Sequence, residues 1–267
     1  MTISGNLRWS VLGTGNIGRI LALRLRVMGV PGENLSLYDP DGTRRDSLAA
    51  ETGAQTCAGA AAAAENADFV LLAVPPKALV PLMKELAPGL HPGQTVVSFA
   101  AGIPFDRIAG LVPAGVAVVR VMPNAPSLVG RGMNPVVFEA SASPDLRARL
   151  KPFLAALGDW IEVRDDQMNW CVGLAGAAMR SVLPALEGMV RAGLEAGLSE
   201  EESRCVAGKV VQGTGAFLCQ TSLSFEEIKS LTPMQTVDEV AVANLFYQAA
   251  LEAREKVDRV QSRLLEA

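Results

Sequence analysis

The sequence predicts an α/β protein, with a doubly wound, mostly parallel sheet over residues 1–164 and an all-α domain over residues 165–267. Three observations predict it. Short apolar runs alternate with helix-like stretches through the first part of the chain, as in parallel strands joined by crossover helices. A glycine-rich turn follows the first strand-like run and opens the first helix-like one. Beyond about Arg164 the strand-like runs stop and long helical stretches take over.

Trp9-Ser10-Val11-Leu12 reads as the first strand, and Ile17 to Met28 as a helix stopped by Gly29. Leu35 to Tyr38 is the second strand, followed by a helix from about Thr43 to Glu51 and a weak strand at Gln55-Thr56-Cys57. The alanine run Ala60 to Ala64 forms helix readily and suggests packing alone. Phe69 to Val74 is continuously apolar, as a strand covered on both faces must be. Thr95 to Ser98, Val116 to Val121, Val136 to Phe138 and Trp160 to Val163 complete the sheet, with a helix from Pro144 to Leu157. The helical part divides into roughly Met168 to Ala196, Ser199 to Gln220 and Thr236 to Leu265. Ser199 with Glu202 forms a capping box, Pro184 predicts a kink, and Gly197 predicts a stop.

A chain of 267 residues buries enough surface to need no staple. Hydrophobic residues at 49% against 19% charged describe a packed chain rather than a disordered one. A formal charge of −4 and no Lys/Arg stripe argue against a nucleic acid or an anionic membrane as partner. The four cysteines are far apart with no C-x-x-C, which disfavours a zinc finger or disulfide frame; they read as small core residues in a reducing cytosol. His91 is the single histidine and sits in a Gly-Leu-His-Pro-Gly turn, which closes histidine-based hydrolase and metalloprotease readings; no metal is expected. Arg8 interrupts the first apolar residues, so no export signal is expected. The uncharged stretch Leu86 to Phe105 is broken by Pro88, Gly89, Pro92, Gly93 and Gly102, so it predicts no membrane helix. A soluble, cytoplasmic protein is the expectation.

Gly13-Thr14-Gly15-Asn16-Ile17-Gly18 is G-x-G-x-x-G between a strand and a helix, the Rossmann-type arrangement for a dinucleotide. Gly13 permits the tight turn, Gly15 admits a pyrophosphate to the backbone, and Gly18 lets helix and strand pack closely. The helix N-terminus then offers unpaired N–H groups and partial positive charge. Asp39, at the end of the second strand, suits a hydrogen bond to the adenosine ribose and repels a 2′-phosphate; it also suits a turn before Pro40. Arg44 and Arg45 suit a 2′-phosphate, so the cofactor is NAD or NADP, with NAD slightly favoured. Val74 and Pro75, Ala100, and Asn124 lie where three further strands end, the edge at which open α/β sheets bind ligands. The Asn124 amide suits the cofactor's carboxamide, the substrate, or a structural Asx turn.

The segment Val119-Arg-Val-Met-Pro-Asn-Ala-Pro-Ser-Leu-Val-Gly-Arg-Gly-Met133 resembles the signature segment of the pyrroline-5-carboxylate reductases, which end proline biosynthesis. The resemblance spans nearly the whole chain, taking in the glycine loop, Ser98 to Ile103, and Glu187, Gly193, Gly197 and Leu198. It implies a Rossmann domain followed by a helical dimerisation domain, and hydride transfer from NAD(P)H to the C=N carbon of a cyclic imine. The apolar helices fit a homodimer or higher homo-oligomer.

Two stretches depart from the family. Where its members read Ser-Gly-Ser-Gly-Pro-Ala-Tyr, this chain reads Ala175-Gly-Ala-Ala-Met-Arg-Ser181, keeping only Gly176. Where they read Ser-Pro-Gly-Gly-Thr-Thr, it reads Thr232-Pro-Met-Gln-Thr-Val237, with Pro233 and Thr236 in common. Hydroxyls and free N–H groups that hold a small carboxylate are thus largely replaced. Arg180, on the helix expected to face the nicotinamide, suits a bidentate carboxylate contact, or an ordinary helical salt bridge. Glu187 matches a family glutamate and, with Thr236, completes the candidate catalytic set; packing or capping is the alternative for a mid-helix carboxylate. Two other readings remain: an NAD(P)- or F420-linked dehydrogenase of another small substrate, and a non-catalytic dinucleotide sensor.

Overall fold

The computed structural model describes residues 7–232 and 234–266. In chain order the elements are β1 (Trp9–Leu12), α1 (Asn16–Val27), β2 (Leu35–Tyr38), α2 (Gly42–Thr52), β3 (Gln55–Thr56), α3 (Ala60–Ala64), β4 (Phe69–Leu72), α4 (Pro76–Leu86), β5 (Thr95–Ser98), α5 (Phe105–Ala109), β6 (Ala117–Val121), β7 (Gly132–Phe138), α6 (Pro144–Leu157) and β8 (Gly158–Glu162). There follow α7 (Met168–Cys171), a π-helical turn (Val172–Ala177), α8 (Ala178–Glu195), α9 (Glu200–Gln220), α10 (Phe225–Ser230) and α11 (Glu239–Glu266).

The eight strands form one sheet in the order β3-β2-β1-β4-β5-β6-β7-β8. Neighbouring strands are parallel except β6 and β7, which run antiparallel. Alternation along each strand builds two cores. Trp9, Val11, Phe69 and Leu71 pack on one face with Leu21, Leu25 and Phe153. Leu12, Val70 and Leu72 pack on the other with Leu79, Met83 and Ile108. Trp9 and Phe69 stack with ring centroids 4.4 Å apart.

Two compact units result: residues up to Gly176 together with those from Leu251, and Ala177–Ala250. In the first, the end of α11 is held by Asn169, whose Nδ2 donates to Asp258 at 2.9 Å and Gln261 at 2.6 Å. Arg254 lies over the Trp170 ring at 4.8 Å. In the second, α8 pairs with α9, and Ser203 packs where a Cβ on Gly193 would collide with it.

Several expectations change. Helices α4 and α5 are additional, as is α10, which opens on a capping box of Ser224 and Glu227. Prolines obscure α4 in the sequence, although Pro76 at its first turn is favourable and only Pro81 interrupts its ladder. Strand β7 runs seven residues rather than three, because Gly132 to Val136 pair with β8; Pro135 lacks a donor, but its carbonyl accepts the Met122 N–H at 2.9 Å. Helix α8 runs through Pro184, and a π-helical turn at Val172–Ala177 precedes it. Of the cysteines, only Cys171 is buried; Cys57 is half-buried, and Cys205 and Cys219 are exposed.

Candidate functional site

The sheet order turns back between β1 and β4, so the segments leaving these strands diverge and open a crevice at their carboxyl ends. A cavity of about 700 Å³ lies there, bounded by Gly13, Gly15, Asn16, Ile17, Asp39, Val74 and Pro75. It is also lined by Tyr38, Arg44, Phe99, and Ala78, Pro81, Leu82 and Glu85 of α4. A second cavity of about 490 Å³ adjoins the glycine loop and is lined by Thr14, Gly15, Asn16, Arg19, Thr43, Arg44 and Ser47. Gly15, Asn16 and Arg44 border both.

The loop is built from tight contacts. Gly13 has φ +94°, and a Cβ there would come within 2.6 Å of the Ala73 carbonyl oxygen. Its N–H donates to the Tyr38 carbonyl at 2.8 Å, locking the turn against β2. A Cβ on Gly18 would lie 1.8 Å from the Gly13 carbonyl oxygen, so the first turn of α1 closes only over glycine. Gly15 is different: nothing lies within 4 Å of the Cβ position, which leaves the backbone open to a ligand. Gly15 is also the N-cap of α1 and makes no side-chain cap, and no acidic residue occupies the first turn. Unpaired N–H groups and the positive end of the helix dipole therefore face that opening. These features fit a dinucleotide pyrophosphate.

Asp39 is 5% exposed. One carboxylate oxygen accepts the Thr14 N–H at 2.7 Å, and the other accepts the Asp41 N–H at 2.8 Å with Arg44 at 3.5 Å. Burial by itself would raise its pKa, but the Thr14 and Asp41 hydrogen bonds and the Arg44 charge bring it below the ordinary 3.8. The carboxylate is thus ionised, borders the cavity, and staples the glycine loop to the end of β2.

The structure brings Gly13, Gly15, Asn16, Ile17, Asp39, Val74 and Pro75 together, with Thr14 on the adjoining cavity. Gly18 lies beneath the loop and Ala100 is buried just after β5. The half-buried Asn124 amide bonds within the protein: its Oδ1 accepts the Met133 N–H at 3.1 Å and its Nδ2 donates to the Ala175 carbonyl at 3.0 Å. It caps no helix with its side chain, so the Asx-turn alternative is not what forms. Arg180 and Glu187 lie on α8, two helical turns apart and therefore on one face, both exposed. Arg180 has no ion pair among the described residues. Thr236 lies in the exposed connection before α11, and Pro233 is outside the described residues. The α4 wall escaped the sequence reading, although Ala78, Pro81, Leu82 and Glu85 carry the i, i+3, i+4, i+7 spacing of one helix face. No cluster suited to a metal ion occurs among the described residues, and no helix there is long and apolar enough to cross a membrane.

Two family profiles match. One, described as NADP oxidoreductase coenzyme F420-dependent, covers residues 8–102. The other, described as pyrroline-5-carboxylate reductase dimerisation, covers residues 165–266. The pyrroline-5-carboxylate reductase of Pseudomonas aeruginosa is 30% identical over 220 residues, 82% of this chain and 79% of that one. That of Corynebacterium melassecola is 26% identical over 253 residues, 90% of this chain and 94% of that one. Among solved structures, the NADP-bound Plasmodium falciparum pyrroline carboxylate reductase superposes with a TM-score of 0.81 at 19% identity, covering 98% of this chain and 100% of that one.

Proposed function

Because this chain belongs to the pyrroline-5-carboxylate reductase family, we propose that it is an NAD(P)H-dependent imine reductase of the cytoplasm, acting on 1-pyrroline-5-carboxylate or a related cyclic imine. The imine part of this reading is carried by membership of the family, and the dinucleotide part by the glycine loop: an uncapped helix start, an open Gly15 and an ionised Asp39 around one cavity. A bound dinucleotide supplies the hydride. Thr14, Gly15, Asn16 and Ile17 would receive its pyrophosphate over the tight turn that Gly13 and Gly18 make possible, and Val74, Pro75 and Ala100 would form the floor for its flat ring. The negative charge of Asp39 favours NAD, with Arg44 beside it as the group that tolerates a 2′-phosphate.

Arg180, Glu187 and Thr236 hold the substrate side, within a helical domain taken as residues 165–267 after a dinucleotide-binding domain of residues 1–164. Arg180 pairs with the substrate carboxylate in place of the hydroxyl-rich segment found in relatives. A cyclic imine is partly protonated near neutral pH, so the protein has to select that form and exclude water rather than deliver the proton through a histidine. A second copy of the chain pairs through the apolar helices of residues 177–250, where Val206, Val210, Phe217 and Leu218 of α9 stand 41–53% exposed.

The test is NADH and NADPH oxidation with 1-pyrroline-5-carboxylate, set beside a panel of cyclic imines and keto acids. Turnover confined to imines is expected, with NADH bound more tightly than NADPH. Turnover of keto acids alone refutes imine reduction, and cofactor binding with no turnover across the panel refutes catalysis in favour of a sensor. Arg180→Ala is expected to raise KM more than tenfold, and Arg180→Lys to recover little; an unchanged KM removes Arg180 from the site.

A further inference from the structure

The crevice edge carries a second construction that the dinucleotide does not explain. The chain leaving β8 returns across the ends of the strands as residues 165–176 and is fixed there at three points. Asp165 is the first. Its Oδ2 accepts the Phe105 N–H at 2.9 Å, at the start of α5, and its Oδ1 pairs with Arg120 of β6, whose side chain is 3% exposed. The second is apolar: Met168 and Cys171 bury against Met122 and Val137, with Ala101 and Val172 packed at the margin. The third is Asn124.

Each half of the Asn124 amide is used within the protein. The acceptor half holds Met133 at the start of β7, where space is so short that a Cβ on Gly132 would lie 2.9 Å from Asn124 Oδ1. The donor half reaches the carbonyl of Ala175, 51 residues away, inside the π-helical turn Val172–Ala177. A change of register between α and π spacing disturbs the carbonyl–amide ladder, and a carbonyl at such a place gains from a donor outside the helix. Asn124 brings one. Two donors and two acceptor lone pairs on one planar group make asparagine the short side chain that satisfies a backbone N–H and a backbone C=O at once.

We propose that Asn124 is a positioning residue: by bridging Met133 N–H and Ala175 C=O it sets the register of the π-helical turn at the sheet edge, and with it the placement of Ala175 and Gly176 in the segment that departs from the family. This rests on the reading above only in assigning that segment to the substrate. The same amide also suits the cofactor's carboxamide or the substrate, and the carboxamide role differs from the register role in what it disturbs. A carboxamide contact acts on dinucleotide affinity. A register contact leaves that affinity in place and acts on the imine.

Two substitutions of the full-length protein separate them. Asn124→Asp keeps the acceptor for Met133 and removes the donor to Ala175; Asn124→Ala removes both. Hydrogen exchange read by mass spectrometry is expected to speed at least tenfold in peptides covering residues 168–180 for both variants, and to stay unchanged around the glycine loop. Steady-state kinetics are expected to show KM for the imine raised at least tenfold, with the dissociation constant for NADH, read by its fluorescence, within twofold of the unaltered chain. Unchanged exchange over residues 168–180 overturns the proposal. So does a loss of NADH affinity equal to the rise in KM. If Asn124→Ala does not fold, Asn124→Asp carries both measurements. An unaltered chain that reduces no imine refutes the functional reading instead, and the exchange comparison still decides the role of Asn124.

Discussion

Asp39 shows how a residue selected for one contact is held by others. Its carboxylate faces a cavity, yet its strongest partners are the N–H groups of Thr14 and Asp41. The hydrogen bonds depress its pKa in the folded chain relative to the unfolded one. A depressed carboxylate contributes stability above the unfolded pKa and loses it as pH falls through the folded one. Asn at this position keeps an acceptor but has no charge to lose. The melting temperature of the native chain is therefore expected to exceed that of Asp39→Asn at neutral pH. The gap is expected to narrow only below the ordinary carboxylate range near 3.8, as followed by thermal melts across pH. A gap constant down to acid pH contradicts the role of the charge. The glycine loop loosens in the variant, and NADH affinity is expected to fall about tenfold, a change of about 1.4 kcal/mol.

At the scale of elements, the start of α1 and the start of α9 are both written in a few residues. Gly18 admits no side chain because the Gly13 carbonyl oxygen stands 1.8 Å from where a Cβ would be. Gly18→Ala is expected to cost roughly 1–3 kcal/mol in denaturant unfolding and to abolish NADH binding, since relief of the clash must move the loop. Retained affinity contradicts that close packing. Helix α9 begins with Ser199, whose Oγ accepts the Glu202 N–H at 3.2 Å while the Glu202 carboxylate returns to the Ser199 N–H at 2.8 Å. Ser199→Ala is expected to lower stability by about 1 kcal/mol, visible as a shift of the urea midpoint without a change of slope. The helix before it ends on Gly197 at φ +88°, with Leu198 N–H bonded to the Gly193 carbonyl at 3.0 Å. That is the closure expected of a left-handed glycine after a helix.

At the scale of the molecule, helix α8 has no buried residue, and α9 buries only Ser203 and Ala207. Surfaces so apolar and so open belong to chains that associate. Sedimentation is expected to give at least twice the chain mass, and Phe217→Glu to shift it toward a single chain with loss of turnover; a monomer that turns over at the native rate refutes pairing. The sequence by itself determined the alternation of strands and helices, the G-x-G-x-x-G turn, the capping box and the glycine stops. These depend on residues close in the chain, whose periodicity and backbone preferences act locally. It also carried the family through the Val119–Met133 segment. It did not reveal that α4 walls the cavity, that Asp39 is stapled to Thr14, or that the Asn124 amide spans Met133 and Ala175. Those were decided by tertiary structure alone, because a hydrogen bond between residues 51 positions apart has no local signature: its partner is chosen by where the sheet ends and the returning chain comes to lie.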